Sequence, residues 1–478
     1  METTVEPQEG NKVKLSVAIA ETEFEPAIDA AFRKIAQEVR LPGFRPGKVP
    51  RKILEQRIGT EAARQQALQD SLPEFYAKAL VENDVDAIAA PELEVESGEE
   101  SGPIAFSALV EVRPKIRVPG YQGLEVTVDS PDVSDDEREA QIDRLRNSFA
   151  SLVEVDRPAR SGDHVRIDIA GTVDDEPVAG LTANDYVYEV GQGAVVPELD
   201  AHLLGAKAGD AIEFDAPVPG NENERIAFQV AVQAVNEKVL PEANDAWAAD
   251  ASEFSTIDEL RADTVRRMGL VKKVQSHLQM RDEVVKALVE LVVDDAPSTL
   301  IDAEVQRRVQ DLGHRLSHQG ASIDQYLAAS GLDQEAFLES IRVEAESTVK
   351  ADLALRSVAD AEAIDADEGD IDGEIERIAS RYKIKPKEAR RQLERAYQMP
   401  AVRADVRKTK ALAWLMEQVT VVDRDGKTID RDALELGDDE IDEAERTAAE
   451  LDPNIGAIDE DLDDEDEDDD HDHSGHQH

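Results

Sequence analysis

The N-terminal part of the chain switches between the two-residue period of strands and the three-to-four-residue period of helices. Alternating apolar positions over 12–20 predict a strand with one buried face. An apolar stripe over 24–39 then predicts an amphipathic helix, and helical spacing resumes from Pro50. Alternation returns over 104–112. We therefore predict an N-terminal α+β domain over residues 1–113.

The middle of the chain is predicted to be a small antiparallel sheet domain. Four alternating segments lie between residues 165 and 232, and one short helix beginning at Pro197 interrupts them. A helical arm is predicted over 135–149, and residues 255–420 are predicted to be almost wholly helical, beginning at a capping box formed by Thr256 and Glu259. We expect the arm to pack with the later helices, so that the sheet domain is inserted between them.

Charge changes this picture at the C-terminal end. The 478 residues include 53 basic and 106 acidic side chains, and 22 of the acidic ones but only two basic ones fall within 431–478. This segment has too few apolar residues to offset the chain entropy that folding would cost, which predicts a disordered acidic tail. The fold class is thus α+β multidomain. Its predicted parts are the N-terminal domain at 1–113, a linker strand and helical arm at 114–160, the sheet domain at 161–240, an all-α C-terminal arm domain at 241–430 and the tail at 431–478.

Composition also excludes several classes of function. The net charge of −53 excludes general phosphate binding, so any RNA contact must be local and DNA is not an expected partner. The absence of cysteine removes disulfides, thiolate catalysis and cysteine metal sites. The N-terminus lacks signal-peptide features and no apolar run approaches about 18 residues. We expect a cytoplasmic protein with no membrane partner.

No cofactor or metal site is predicted. No GxxxxGK[ST] run occurs, so ATP dependence is not expected. Four histidines lie in the last eight residues and could chelate a metal loosely, but a solvating tail is the preferred interpretation.

One segment is positively charged, although the chain as a whole is strongly negative. Residues 33–57 hold eight basic and two acidic side chains, a local charge of +6. At their centre, residues 41–50 form a proline- and glycine-rich loop at the predicted tip of a helical hairpin, where Phe44 has little to pack against. An exposed aromatic flanked by cations suits phosphates or acidic side chains. The alternative is a solvated turn whose cations cap helix ends.

The run GFRPGKVP, residues 43–50, resembles the ribosome-docking signature of the trigger factor family of bacterial chaperones. The likeness continues to PSTLIDAEVQRRV and VRADVRKTKALAWLMEQV in the helical part and ends before the acidic tail. It implies an ATP-independent chaperone of nascent and unfolded polypeptides, with family roles in protein export and cell division-linked folding. It also implies contacts with a large-subunit ribosomal protein and rRNA at the exit tunnel, and leaves open a weak homodimer off the ribosome. The implied docking residues are Gly43, Phe44, Arg45, Pro46, Gly47 and Lys48.

The sheet domain is similar to FKBP-type prolyl isomerases, chiefly through Val190 to Leu199. Such enzymes need no nucleophile, because an apolar pocket that twists and desolvates the imide lowers the rotational barrier. Ile169, Val178 and Leu199 stand where the family usually has aromatic residues. We therefore expect weak turnover, and a module that mainly binds substrate or spaces the domains stays an alternative. The implied pocket positions are Ile169, Val178, Tyr186, Val195, Val196, Leu199 and Phe228.

The helices from 255 to 420 are candidates for a surface that binds unfolded chains. Methionine and leucine side chains adapt to varied partners, although any one of them is more often part of a core. Two other functions compete: a free prolyl isomerase, and an acidic scaffold for basic proteins driven by the tail. The candidate client-binding residues are Met268, Leu270, Leu278, Met280, Leu316, Tyr326, Leu327, Phe337, Leu393, Tyr397, Met399, Trp414, Leu415 and Met416.

Overall fold

The chain is built from two units, each discontinuous in sequence. One contains residues 1–129 and 277–432, and the other contains residues 130–276 and the segment that begins at Ala433. The α+β multidomain class expected from the sequence is confirmed. The computed structural model describes residues 1–39, 44, 47–173, 176–218, 221–331, 333–437 and 440–451.

The N-terminal part of the first unit is a four-stranded antiparallel sheet covered by helices. The strands are β1 (Glu2–Gln8), β2 (Lys12–Ile19), β3 (Glu92–Ser97) and β4 (Ile104–Glu111), in the order β1-β2-β4-β3. The helices are α1 (Glu21–Glu38), α2 (Arg51–Ile58) and α3 (Glu61–Glu82). Leu15, Phe24 and Phe106 are fully buried between the two layers. Strand β1 was not predicted, because its edge position leaves mostly polar residues in its sequence.

The C-terminal part of the first unit is helical. Helices α10 (Gln334–Ala361) and α13 (Met399–Gln418) pack together, and α10 also packs on α8 (Ser298–His318). Short helices α9 (Ile323–Ser330), α11 (Glu368–Arg381) and α12 (Pro386–Arg395) complete this part. Strand β5 (Glu125–Thr127), which follows a 3-10 turn at Tyr121–Gly123, pairs in parallel with β11 (Thr420–Val422).

The second unit contains the small antiparallel sheet. Its strands are β6 (Ser151–Glu154), β7 (His164–Val173), β8 (Glu176–Glu189), β9 (Ala211–Val218) and β10 (Asn221–Val239). The long β10 pairs with β7 on one edge and with β9 and then β6 on the other. Helix α5 (Pro197–Leu203) packs its apolar residues into the same core, where Ile167, Tyr188 and Leu203 are buried.

The arm packs with later helices of the second unit, as predicted. Helix α4 (Asp135–Ser148) contributes Ile142 to a cluster with Trp247 of α6 (Asp245–Ala251) and Leu260 of α7 (Ile257–Glu290). The capping box that begins α7 is present, since Thr256 and Glu259 bond each other's amides at 3.1 and 3.3 Å. The sheet domain is therefore inserted between the arm and α7.

The expectation of a disordered tail from residue 431 is wrong for its first part. Residues Arg431–Leu434 form a 3-10 helix, and α14 (Glu440–Leu451) follows. Leu434, Ala444 and Ala448 are buried, so a narrow apolar stripe holds this segment in place despite its acidic composition. The disorder expected for 452–478 lies outside the described residues.

Candidate functional sites

The loop between α1 and α2 folds back against the end of α1. The amide of Gly47 donates a hydrogen bond to the carbonyl of Ala36 at 2.7 Å, and Gly47 has a φ of +80°, which favours glycine. Val49 is buried in the N-terminal core. Two fixed points therefore hold the end of the loop in one position.

The aromatic residue of this loop lies on the surface. Phe44 is 38% exposed, and Gly47 and Lys48 are exposed as well. Gly43, Arg45 and Pro46, the other predicted docking residues, lie outside the described residues. The expected exposure of the aromatic side chain is confirmed.

Two of the basic side chains in 33–57 are neutralised by carboxylates. Arg51 forms ion pairs with Glu25 and Glu55, both at 2.6 Å, and also with Asp29. Burial opposes the charge of Arg51, but these carboxylates outweigh it and raise its pKa. Lys34 is paired in the same way, with Asp70 at 3.0 Å. The charge count along the sequence could not separate paired from unpaired cations.

Four other cations of this segment remain available. Arg33 on α1, Lys48 in the loop, and Lys52 and Arg57 on α2 are exposed. Among the described residues none of the four has an ion-pair partner. We call Phe44 and these four cations the docking surface. It presents an apolar ring and unpaired positive charge on one helical hairpin.

Most of the predicted isomerase positions come together in the core of the second unit's sheet. Ile169, Val196, Leu199 and Phe228 are buried in one cluster, and Val195 packs against it. The other two positions differ: Val178 is half-buried, and Tyr186 is 38% exposed with its ring 6.4 Å from that of Tyr188.

The ring of Phe228 is closely packed within this cluster. Phe214 stacks on Phe228 with ring centroids 5.1 Å apart. A Cβ placed on Gly171 would lie 3.0 Å from both Leu181 and Phe228, so this side of the Phe228 ring is already covered. Tyr186, the exposed residue of the predicted site, is therefore the one that a peptide can contact first.

A carboxylate that sequence reasoning missed holds the loop beside this cluster. Asp200 of α5 accepts hydrogen bonds from the Tyr188 hydroxyl at 2.8 Å and from the amides of Gly191 and Gly193 at 2.7 Å. Burial, together with the nearby Asp200 charge, raises the pKa of Tyr188. The available signal in the sequence was two glycines, Gly191 and Gly193, followed by an aspartate on a predicted short helix.

The candidate client-binding residues divide by exposure. Tyr326 is exposed, while Met280, Leu316, Phe337 and Leu415 are buried and therefore belong to the core. The other nine are half-buried. Exposed apolar side chains that the periodicity did not single out are Val293, Leu338, Val343 and Tyr382.

No group of three or more histidine and carboxylate side chains among the described residues is placed to hold a metal ion. No helix in the same residues has both the length and the apolar character needed to cross a bilayer.

Three segments of the chain match known protein families. Residues 1–145 match the family described as bacterial trigger factor protein, and residues 256–417 match its C-terminal part. Residues 155–223 match the FKBP-type peptidyl-prolyl cis-trans isomerases.

The chain is also similar to curated proteins along nearly its full length. It is 37% identical over 452 residues to trigger factor of Rhodococcus opacus (strain B4), covering 94% of this chain and 97% of that one. It is 38% identical over 432 residues to trigger factor of Nocardia farcinica (strain IFM 10152), covering 90% and 93%. A solved trigger factor chaperone structure aligns over 87% of this chain and 99% of its own, with 24% identity and a TM-score of 0.44.

Proposed function

Because this chain belongs to the trigger factor family, whose members are ribosome-associated chaperones with an FKBP-type isomerase domain, we propose that its docking surface is the ribosome contact. Phe44 would insert into an apolar depression on a large-subunit protein at the exit tunnel. Arg33, Lys48, Lys52 and Arg57 would meet rRNA phosphates or acidic side chains. Gly43, Arg45 and Pro46 are included in the proposed contact by family resemblance.

One observation carries this proposal: exposed cations that pair with no described carboxylate share one helical hairpin with an exposed aromatic, in a chain of net charge −53. On the same hairpin Arg51 and Lys34 do have carboxylate partners. The cations that pair with no described residue keep their full charge for an external anion.

Ribosome co-sedimentation tests the proposal. Lys48→Glu combined with Lys52→Glu should weaken ribosome binding at least about tenfold at 0.1 M salt, because each phosphate contact releases condensed counterions. Lys207→Glu combined with Arg315→Glu makes the same charge change at exposed positions elsewhere and should bind as the wild type does. If both double variants sediment alike, the docking assignment fails.

We propose further that the isomerase acts on peptides bound over Tyr186 and Val195, with Val196, Leu199 and Phe228 as a buried floor and Ile169 and Val178 beside it. The floor is largely aliphatic and closely packed, which supports weak turnover. Tyr186→Ala should lower kcat/KM on a proline peptide without changing the fold, because the ring is exposed. A rate equal to the uncatalysed one in the wild type would remove the catalytic role.

The finer assignments follow from this function. We propose a cytoplasmic protein whose clients are nascent chains and unfolded polypeptides, with clients rich in lysine and arginine favoured by the negative frame. The domain boundaries at 113, 160, 240 and 430 are proposed with it, with the last one moved to 451 to include α14.

A further inference from the structure

A second positively charged surface lies on α12 and the turn before it. Residues 381–395 carry seven basic and two acidic side chains, a local charge of +5. Arg390 is paired with Glu368 at 3.1 Å and with Asp372 at 3.0 Å. The other six are exposed and form no ion pair with any described residue: Arg381, Lys383, Lys385, Lys387, Arg391 and Arg395. We call these six side chains and Tyr382 the α12 surface.

Three of the cations are aligned along one face of α12. Lys387, Arg391 and Arg395 recur every four residues, which spaces them about 6 Å apart along the helix. The opposite face is fixed in the core, since Ala389 is buried and Leu393 packs against the same cluster. The row of charges is therefore held rigid and points away from the packed side.

The turn before α12 carries an exposed aromatic. Tyr382 is the C-cap of α11 and is 64% exposed, the highest exposure among the large apolar side chains described. Cations together with an exposed aromatic ring are the combination by which proteins bind single-stranded nucleic acid: the cations follow the phosphates and a base stacks on the ring.

We propose that the α12 surface binds the phosphate backbone of a single-stranded RNA segment, with Tyr382 stacked on one base. An acidic protein segment would use the cations but would give the Tyr382 ring no planar partner, so the observations favour RNA. The net charge of −53 keeps RNA from binding over the whole surface, so the contact must be local. The inference does not depend on ribosome docking through Phe44.

Fluorescence anisotropy of a labelled, mixed-sequence 12-nucleotide RNA with the full chain tests this, with no ribosome present. The triple variant Lys387→Gln, Arg391→Gln, Arg395→Gln removes three phosphate contacts. Each contributes about 0.7 to the slope of log K against log salt for a single strand, so the slope should fall by about 2 and binding at 0.1 M salt should weaken about 100-fold.

A matched triple variant removes the same charge from three other elements. Lys12→Gln, Lys207→Gln and Arg315→Gln are exposed positions on β2, after α5 and on α8. This control should keep both the affinity and the salt slope of the wild type. Tyr382→Ala should weaken binding roughly fivefold or more, because it removes one stacking contact, while leaving the slope unchanged.

Three results would overturn the proposal. The first is no RNA binding by the wild-type chain, and the second is an equal loss in the two triple variants. The third is that labelled polyglutamate binds the wild-type chain as tightly as the RNA does, and binds the Tyr382→Ala variant equally well. This last result would assign the surface to acidic protein segments, the chain's own acidic C-terminal residues included.

Discussion

Replacing Tyr188 with phenylalanine removes one hydrogen bond from the loop beside the isomerase cluster. The Tyr188 hydroxyl donates to Asp200 at 2.8 Å, and phenylalanine keeps the fully buried ring, so the variant removes only the hydroxyl. A hydrogen bond to a charged group contributes about 1.5–3 kcal/mol. Because Asp200 is only half-buried and water can replace the donor, we expect the lower end, about 1.5 kcal/mol.

Hydrogen–deuterium exchange of the full chain measures this loss where it occurs. Exchange through local opening responds to the free energy of that opening, so a loss of about 1.4 kcal/mol lowers protection about tenfold. Peptides that cover the loop from Gly191 to Gly193 and helix α5 should show this change. Asp200→Ala removes all three bonds and leaves the Tyr188 hydroxyl unpaired, so it should lower protection further.

Tyr186→Phe is the matched control for this prediction. Tyr186 lies two residues away on the same strand, is 38% exposed and makes no hydrogen bond through its hydroxyl to a described residue. Its replacement should leave exchange unchanged. Equal protection in Tyr188→Phe and Tyr186→Phe would refute the idea that Asp200 fastens this loop.

Two further predictions concern charged groups in the helical parts. Hydrogen bonds from Lys272 and Ser134 lower the pKa of Glu137 from 4.5 to about 2, so its contribution to stability is present above pH 4.5 and is lost as the pH falls toward 2. Glu137→Gln should therefore destabilise the arm at pH 6 but not at pH 2. Trp247 fluorescence in a Trp414→Phe background measures this stability. A difference between the two proteins that does not change with pH would contradict the prediction. Asp352 contacts Arg113, Arg356 and Lys408 at 3.0, 3.0 and 2.6 Å, and Asp352→Asn leaves these cations facing each other. Since its side chain is 23% exposed, we expect a loss of about 2–3 kcal/mol in urea unfolding followed by Trp414. The expected loss is less than about 1 kcal/mol for Asp311→Asn, whose side chain is 40% exposed.

Much of the fold follows from local periodicity. The stripe that predicts α1 is the face that buries Phe24, Ile28 and Phe32, and the alternation over 165–169 is the buried face of β7. In both elements one face is strongly apolar and the other polar, so the period is visible in the sequence itself.

Elements that depend on distant partners could not be predicted. Strands β5 and β11 have three residues each, lie nearly 300 residues apart and are stable only as a pair. The same limit applies to charge: Arg51 is neutralised largely by Glu25 and Asp29, which lie outside the basic segment along the chain. Helix α14 was not predicted, because its buried apolar residues are small alanines and many of its other residues are acidic, so the sequence shows no strongly apolar stripe.

The candidate sites divide in the same way. A segment rich in proline and glycine predicts an exposed aromatic from sequence alone, whereas a buried floor such as Leu199 and Phe228 depends on how strands pair. The α12 surface could not be predicted, because the sequence does not show which of its cations are paired with carboxylates of other helices.

Site-specific photocrosslinking at position 44 tests ribosome docking most directly. A benzophenone amino acid in place of Phe44 should crosslink to a large-subunit component when the full chain is mixed with ribosomes. The same amino acid in place of Tyr186, which is equally exposed at 38%, should not. Crosslinks to the large subunit from both positions, or from neither, would contradict docking through Phe44.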